Sequence, residues 1–230
     1  MNVQATKSRG STTKTRTAAT TVMLMACVLA GSTAWAASTL PDVKVDSPIS
    51  ATGELQTAVF AGGCFWGVDA VFRHVKGVDE VESGYAGGNA ATAQYEKVSS
   101  GNTGHAEAVR VKFNPAEVSY QQLLRVFFTV AHDPTQLNRQ GPDIGSQYRS
   151  AIFFSDVDQQ KAAQNHIQQL AESHTFPRPI VTQLVPLQTF YPAEQYHQNY
   201  LALHPDQPYI VYNDLPKLEH LKRQFPALYR

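Results

Sequence analysis

Two strand-like segments follow one another in this chain without a helix between them, and this feature constrains the fold most. Residues 78–85 and 105–113 both have the apolar pattern of strands, and only a polar, turn-rich stretch at 89–104 joins them. Other strands and helices alternate along the chain. The missing helix favours a mixed or antiparallel α+β sheet over a doubly wound parallel one.

The remaining elements are predicted from hydrophobic periodicity and turn residues. Apolar runs predict further strands at 55–61, 150–154 and 180–187. Helices are predicted from the segment after Cys64 to Gly77, at 120–131, from an N-cap at Asp156 to about Glu172, at 193–203, and as a last turn at 216–223 of an extended tail. Residues 132–147 are predicted to form a loop.

The N-terminus has the pattern of a secretory leader. Residues 1–16 carry four basic and no acidic side chains, an uncharged apolar run follows, and Ala34-Trp35-Ala36 matches a cleavage site. We therefore predict a signal peptide at 1–36, a flexible tether at 37–54 and one folded domain at 55–230. The expected location is outside the cytoplasm, in the periplasm, with no stable membrane association after cleavage. An uncleaved anchor and a lipid attachment at Cys27 are the alternatives.

The charge balance argues against a nucleic-acid partner. The 230 residues hold 19 Lys+Arg and 19 Asp+Glu, and the leader removes four basic and no acidic residues, so the mature chain carries −4. A mildly acidic domain lacks the basic excess that phosphate backbones attract.

Cys64 is the residue most suggestive of chemistry. The chain has 2 cysteines, and cleavage of the leader would remove Cys27, so Cys64 would have no partner for a disulfide or a CxxC site. It is then either a buried structural residue or a reactive thiol. It follows Gly62-Gly63 at the predicted start of a helix, where unpaired N–H groups stabilise negative charge. We expect the helix to lower the pKa of the Cys64 thiol.

Polar and aromatic candidates lie elsewhere in the sequence. The alternation in 105–113 places Glu107 on the apolar face, where burial would raise its pKa and suit a general acid. Tyr95 and Tyr148 are hydroxyl donors in or beside Gly-rich loops, Asp143 lies in the 132–147 loop, and Phe65 and Trp66 belong either to the core or to a pocket wall. The chain has an H-x-E sequence at Glu107 but no P-C-x-x-C, so no metal site is expected.

These residues give the chain a resemblance to the peptide methionine sulfoxide reductase A family over about 55–215. The similar segments, in order, are GCFWG (63–67), SGYAGG (83–88), YEKVSSGNTGHAEAV (95–109), HDPTQLNRQGPDIGSQYRSAIF (132–153) and FYPAEQYHQNYL (190–201). The resemblance implies an α+β two-layer sandwich with a ferredoxin-like core sheet. It also implies that residues 55–230 are a catalytic domain.

The resemblance further implies the reaction and the residues that perform it. Methionine S-sulfoxide, free or in proteins and peptides, would be reduced to methionine without a metal or organic cofactor. Cys64 would be the nucleophile that becomes a sulfenic acid, and Glu107 the acid that protonates the sulfoxide oxygen. By their positions in the family's motifs, Tyr95 and Tyr148 would donate hydrogen bonds to that oxygen. Phe65 and Trp66 would contact the substrate methyl group, and Asp143 and His197 would lie near the site.

The sequence departs from many relatives in its lack of a resolving cysteine. The tail after His204 has none, and Ser99 stands where some members have one. We therefore expect an external thiol, either a thioredoxin-like exported protein or a small thiol, to reduce the sulfenic acid.

Two other function classes are consistent with the residues alone. An exported cysteine hydrolase or transpeptidase would also place a cysteine after a tight turn, and it would need one of the eight histidines as base. A binding module with a structural, unreactive Cys64 is the non-enzyme alternative.

Overall fold

The computed structural model describes residues 53–230, which hold eight strands and six α-helices. The predicted leader at 1–36 lies outside the described residues, as does the predicted tether except for its last two residues. The strands are β1 Gln56–Gly62, β2 Val78–Ala86, β3 Ala106–Phe113, β4 Arg139–Gln140, β5 Asp143–Ile144, β6 Ser150–Phe154, β7 Gln183–Pro186 and β8 Phe190–Pro192. The helices are α1 Phe65–Arg73, α2 Tyr95–Val98, α3 Tyr120–Val126, α4 Val157–Glu172, α5 Tyr200–Leu203 and α6 Leu215–Gln224.

Six of the strands form one mixed sheet in the order β7-β6-β1-β3-β2-β8. Only β6 and β7 pair in parallel, and every other pair in this sheet is antiparallel. The segment from β1 through α1, β2, β3 and α3 to β6 has the order and pairing of a ferredoxin-like unit, with the strands arranged β6-β1-β3-β2. The predicted α+β class and mixed sheet are confirmed. The expected absence of a helix between the second and third strands is wrong, because the four-residue α2 lies between β2 and β3, which nevertheless pair antiparallel.

The side-chain alternation of the central strands separates two apolar clusters. Ala58 and Phe60 of β1 lie in the larger cluster with the helices, where the Phe60 ring stacks on Phe72 of α1 and on Phe127. Val59 and Ala61 belong to a smaller cluster of mostly small side chains. In β3, Val109, Val111 and Phe113 belong to the larger cluster, so Glu107 has the same parity as residues that face the helices.

Several predicted boundaries are wrong. The helix expected up to Gly77 ends at Arg73, and the helix expected at 120–131 is α3 followed by a π-helical turn at Phe127–Ala131. The 132–147 loop contains the β4–β5 ribbon, and β8 was not predicted. The strand expected at 180–187 begins only at Gln183, because Val181 N donates to Pro134 O instead of joining the sheet.

The C-terminal region differs most from the prediction. The helix expected at 193–203 is a short 3-10 turn at Gln195–His197 and the four-residue α5, because Asn199 between them has a left-handed backbone with φ of 51°. The helical turn predicted at 216–223 is confirmed as part of the ten-residue α6, but the tail before it is not extended, because a π-helical turn at Ile210–Asp214 leads into α6. Ile210, Leu218 and Leu221 bury their side chains in the main core, so packing holds this tail against the domain.

Within 53–230, none of the helices combines the length and the apolar character needed to cross a membrane.

Candidate active site

A tight turn between β1 and α1 carries Cys64. Gly63 has φ of +96°, a backbone conformation that residues with a Cβ rarely adopt, and a Cβ there would lie 2.6 Å from Cβ of Gln140. Cys64 is the N-cap residue of α1 and is 9% exposed. The predicted strand, glycine turn, cysteine and helix are therefore confirmed.

Glu107 lies directly beside this turn. It is 2% exposed on β3, and its Oε2 accepts a hydrogen bond of 3.0 Å from the backbone N of Phe65, the residue after Cys64. Burial raises the pKa of Glu107 to about 8, the hydrogen bond from Phe65 opposes this rise, and the Asp143 carboxylate adds to it. Glu107 thus holds its proton at neutral pH, as the sequence predicts.

The expectation of a lowered pKa for the Cys64 thiol is wrong. Burial raises the thiol pKa well above its ordinary value, and the carboxylates of Glu107, Asp214 and Asp143 raise it further. A hydrogen bond from the backbone of Trp66 acts in the opposite direction, as expected at a helix N-terminus. Desolvation and negative neighbours outweigh that helix contribution, so the resting sulfur is a thiol.

The two tyrosines predicted as donors lie on separate elements. Tyr95 begins α2 rather than lying in a loop, and its backbone N donates to Glu194 Oε1 at 2.9 Å. Tyr148 ends a 3-10 turn at Ser146–Tyr148. Burial first, then the nearby Glu107 and Cys64, raise the pKa of both tyrosines. Neither hydroxyl has a hydrogen-bond partner within residues 53–230, so both are free to donate.

Aromatic side chains line the start of α1. Phe65 is buried, whereas Trp66 is half-buried and stacks on Tyr200 with ring centroids 3.7 Å apart and an interplanar angle of 6°. Trp66 Nε1 donates to His197 Nδ1 at 3.1 Å. The His197 ring is 2% exposed and lies 5.0 Å from Phe65 and 4.5 Å from Tyr95 between centroids.

Asp143 joins this group through a residue that was not predicted. Tyr209 donates its hydroxyl hydrogen to Asp143 Oδ2, and its ring meets Trp66 edge-on at 5.9 Å. The structure therefore brings together all eight predicted site residues at the N-terminus of α1.

Sequence reasoning did not identify four further residues around the site. Glu194 accepts hydrogen bonds from the Tyr85 hydroxyl and from the Tyr95 backbone, and Tyr200 stacks on Trp66. Tyr209 donates a hydrogen bond to Asp143, and the Asp214 carboxylate raises the pKa of the Cys64 thiol. Glu194 and Tyr200 lie in the FYPAEQYHQNYL segment, so the similarity of that segment to the family could have indicated both residues. Tyr209 and Asp214 lie in the tail, where no local pattern marks them.

The arrangement combines a protonated carboxylic acid, two free phenol hydroxyls and a buried thiol beside aromatic rings. Such a group can polarise an oxygen while the sulfur attacks the atom that carries it. Across the described residues, His, Cys, Asp and Glu form no group of three or more that could hold a metal ion.

Comparison with known proteins agrees with this geometry. A family model described as peptide methionine sulfoxide reductase matches residues 56–228. A protein from Mesorhizobium japonicum named peptide methionine sulfoxide reductase MsrA 2 is 58% identical over 174 residues, which are 76% of this chain and 89% of the relative. A protein of the same name from Synechocystis is 50% identical over 188 residues, 81% of this chain and 88% of the relative.

Solved structures are similar as well. Reduced Mxr1 from Saccharomyces cerevisiae is 33% identical with a TM-score of 0.60, over 67% of this chain and 88% of that one. Methionine sulfoxide reductase A of Corynebacterium diphtheriae is 32% identical with a TM-score of 0.58, over 69% and 79% respectively.

Proposed function

The chain belongs to the peptide methionine sulfoxide reductase family and is an oxidoreductase that reduces methionine sulfoxide to methionine, and we propose that Cys64 and Glu107 carry this reaction. The substrate is the S-epimer, either free or in oxidised proteins and peptides. The contact that supports the proposal best is the 3.0 Å hydrogen bond from Phe65 N to Glu107 Oε2, because it holds a proton donor beside the sulfur.

The first half-reaction transfers oxygen to Cys64. The sulfoxide oxygen lies among Glu107, Tyr95 and Tyr148, and Glu107 donates its proton to that oxygen while the Cys64 sulfur attacks the substrate sulfur. The bond between the two sulfurs forms first, the protonated oxygen then leaves the substrate sulfur and bonds to the Cys64 sulfur, and the bond between the two sulfurs breaks, so that methionine leaves and Cys64 becomes a sulfenic acid. The Glu107 carboxylate takes up the thiol proton, so the acid is restored.

Aromatic rings hold the rest of the substrate. Phe65 and Trp66 contact the methyl group, and the Trp66 ring is fixed by its stack on Tyr200 and its bond to His197. Asp143 and His197 lie at the edge of the same site. Fixed rings reduce the ordering that substrate binding requires.

The second half-reaction needs an external thiol. Cys64 is the free cysteine of the described residues, and the exposed Ser99 hydroxyl donates to Tyr95 O at 2.6 Å instead of supplying a second sulfur. A dithiol attacks the sulfenic sulfur, water leaves, and its second thiol releases Cys64 from the mixed disulfide. A thioredoxin-like protein supplies the dithiol.

A single-turnover experiment tests the proposed reaction. The protein is mixed with a racemic methionine sulfoxide peptide without added thiol, and methionine per protein and trapped sulfenic acid on Cys64 are counted by mass spectrometry. We expect one equivalent from the S-epimer with modified Cys64, and none from Cys64→Ser. No product with an unmodified Cys64 would remove this mechanism and favour the acyl chemistry of a cysteine hydrolase.

We further propose that the protein is exported after cleavage of residues 1–36, with the periplasm as its location. The basic, apolar and Ala-Trp-Ala segments of the leader support this. The measurement is the intact mass of the protein purified from its native host, and a mass beginning at Ala37 is expected. A mass that retains Met1, or one with lipid on Cys27, would contradict it.

A further inference from the structure

A buried ion pair with no role in the proposed mechanism lies near Cys64. Asp214 is 0% exposed, and its Oδ1 accepts a hydrogen bond of 3.1 Å from Lys217 Nζ. Its Oδ2 has no hydrogen-bond partner among residues 53–230. Burying a carboxylate with one unpaired oxygen is unfavourable, so its position at this site requires a physical explanation.

The pair lies against the first turn of α1. A Cβ on Gly67 would lie 2.1 Å from Asp214 Oδ1 and 2.5 Å from Lys217 Nζ, so any larger residue at 67 would displace them. Gly67 is the third residue of α1 after its N-cap, Cys64. The last glycine of the GCFWG segment therefore admits the carboxylate to the same helix turn that carries the thiol.

The N-terminus of a helix stabilises nearby negative charge, and two carboxyl groups already lie there. Glu107 accepts the Phe65 N–H, and Asp214 faces Gly67. A Cys64 thiolate would compete with both for the same partial positive charge and would be repelled by an ionised Asp214. The raised pKa of the Cys64 thiol is in line with this geometry.

We propose that Asp214 is a positioning residue of the reductase, and that its carboxylate, held by Lys217 against the first turn of α1, keeps Cys64 in the unreactive thiol form until a sulfoxide is bound. The inference rests on Cys64 being the nucleophile of the proposed function. Among residues 53–230, the other titratable groups that interact with Cys64 are Glu107 on β3, Asp143 on β5, Tyr95 on α2, Tyr148 on the 3-10 turn and Tyr209 before the π-helical turn. Lys217 on α6 is the cation that binds Asp214.

The consequence for the reaction is selectivity for the bound substrate. A thiol reacts slowly with soluble electrophiles, because the thiolate is the nucleophile. In the active site, the sulfoxide oxygen takes the proton of Glu107, which leaves a base to accept the thiol proton. The sulfur is thus activated only when a sulfoxide is present.

The test is the pH dependence of Cys64 alkylation by iodoacetamide in the full chain with Cys27→Ser. Asp214→Asn removes the carboxylate charge, and Asp214→Asn/Lys217→Met removes both charges without leaving a lone cation. Asp206→Asn, at an exposed acid of the same tail, is the matched control. We expect both Asp214 variants to be alkylated about 10-fold faster at pH 7, which corresponds to a fall of about one pKa unit, and the control to match the parent.

Equal alkylation rates and equal pH midpoints in the parent and the folded Asp214 variants would overturn the inference. Circular dichroism checks that each variant is folded. If the unpaired Lys217 prevents Asp214→Asn from folding, the double variant Asp214→Asn/Lys217→Met provides the comparison. Acceleration in the single variant alone would assign the effect to an uncompensated Lys217 and also overturn it. Alkylation needs no sulfoxide, so this result is separate from that of the single-turnover experiment.

Discussion

Glu107 and Cys64 show how the surroundings of a side chain set its chemistry. Both are buried at the start of α1, and burial raises the pKa of each because it disfavours the charged form. For Glu107 the shift produces an acid that keeps its proton at neutral pH. For Cys64 it produces a resting thiol, although the helix N-terminus alone would favour a thiolate. Cys64 and Glu107 therefore both rest uncharged, and the proton required by the oxygen is already in place on Glu107.

At this scale the first prediction concerns Glu107→Gln. The amide cannot donate an acidic proton, so single-turnover reduction at pH 7 should slow by about 10²–10⁴-fold. The parent rate should fall as pH rises through about 8, where Glu107 loses its proton, and the variant should lack this inflection. Glu80→Gln, on the exposed surface of β2, is the control. Unchanged single-turnover rates in Glu107→Gln would refute the acid role.

At the scale of elements, the β1–α1 turn and the β4–β5 ribbon depend on each other. Gln140 of β4 packs against Gly63, and its side-chain oxygen accepts a hydrogen bond of 3.1 Å from Asp133 N. The same ribbon carries Asp143, which binds Tyr209 of the tail. Contacts between these short elements therefore hold Asp143 and the Gly63 turn, whereas the longer strand β3 carries Glu107.

The second prediction compares Gly63→Ala with Gly141→Ala. Both glycines have positive φ, but a Cβ at 63 would lie 2.6 Å from Gln140 whereas a Cβ at 141 meets nothing within 4 Å. Backbone strain alone costs about 1–2 kcal/mol, so Gly141→Ala should lower the free energy of unfolding by about that much. Gly63→Ala should lower the free energy of unfolding by about 2–4 kcal/mol, because overpacking against Gln140 adds to the backbone strain.

Chemical denaturation of the two variants measures these losses. Adding Gln140→Gly to Gly63→Ala removes the overlapping atoms and should recover part of the difference. Equal losses of unfolding free energy in the two single variants would contradict this prediction, because they would mean that Gln140 moves away from residue 63 without a cost in stability.

At the scale of the whole molecule, buried titratable groups give opposite pH dependences of stability. Burial lowers the pKa of His132 and His166 from 6.5 to about 4. The stabilising contribution of these two histidines to the free energy of unfolding is therefore present above pH 6.5 and is lost as pH falls through about 4. Glu107 has the opposite sign: its pKa is raised from 4.5 to about 8, so its contribution is present below pH 4.5 and is lost as pH rises through about 8.

The third prediction uses His166, which packs on Phe128 at 5.3 Å and whose Nε2 has no hydrogen-bond partner in residues 53–230. His166→Phe removes a group that must take up a proton on acid unfolding. The free energy of unfolding should fall less between pH 6.5 and 4 than in the parent, by up to about 3 kcal/mol. His204→Phe, at an exposed position, is the matched control for the substitution. Identical slopes in His166→Phe and the parent would contradict the assignment.

The sequence by itself determined the elements and residues whose signals are local. The α+β class with a mixed sheet, the glycine turn before Cys64 and the parity of Glu107 with Val109 each follow from local sequence patterns, and each is confirmed. Only the tertiary structure decided the protonation of Cys64 and the course of the tail. The thiol pKa depends on burial and on Asp143 and Asp214, which are distant in sequence. The helical turn predicted at 216–223 is part of α6, but the rest of the tail folds against the domain rather than extending, because Ile210, Leu218 and Leu221 are buried in the core.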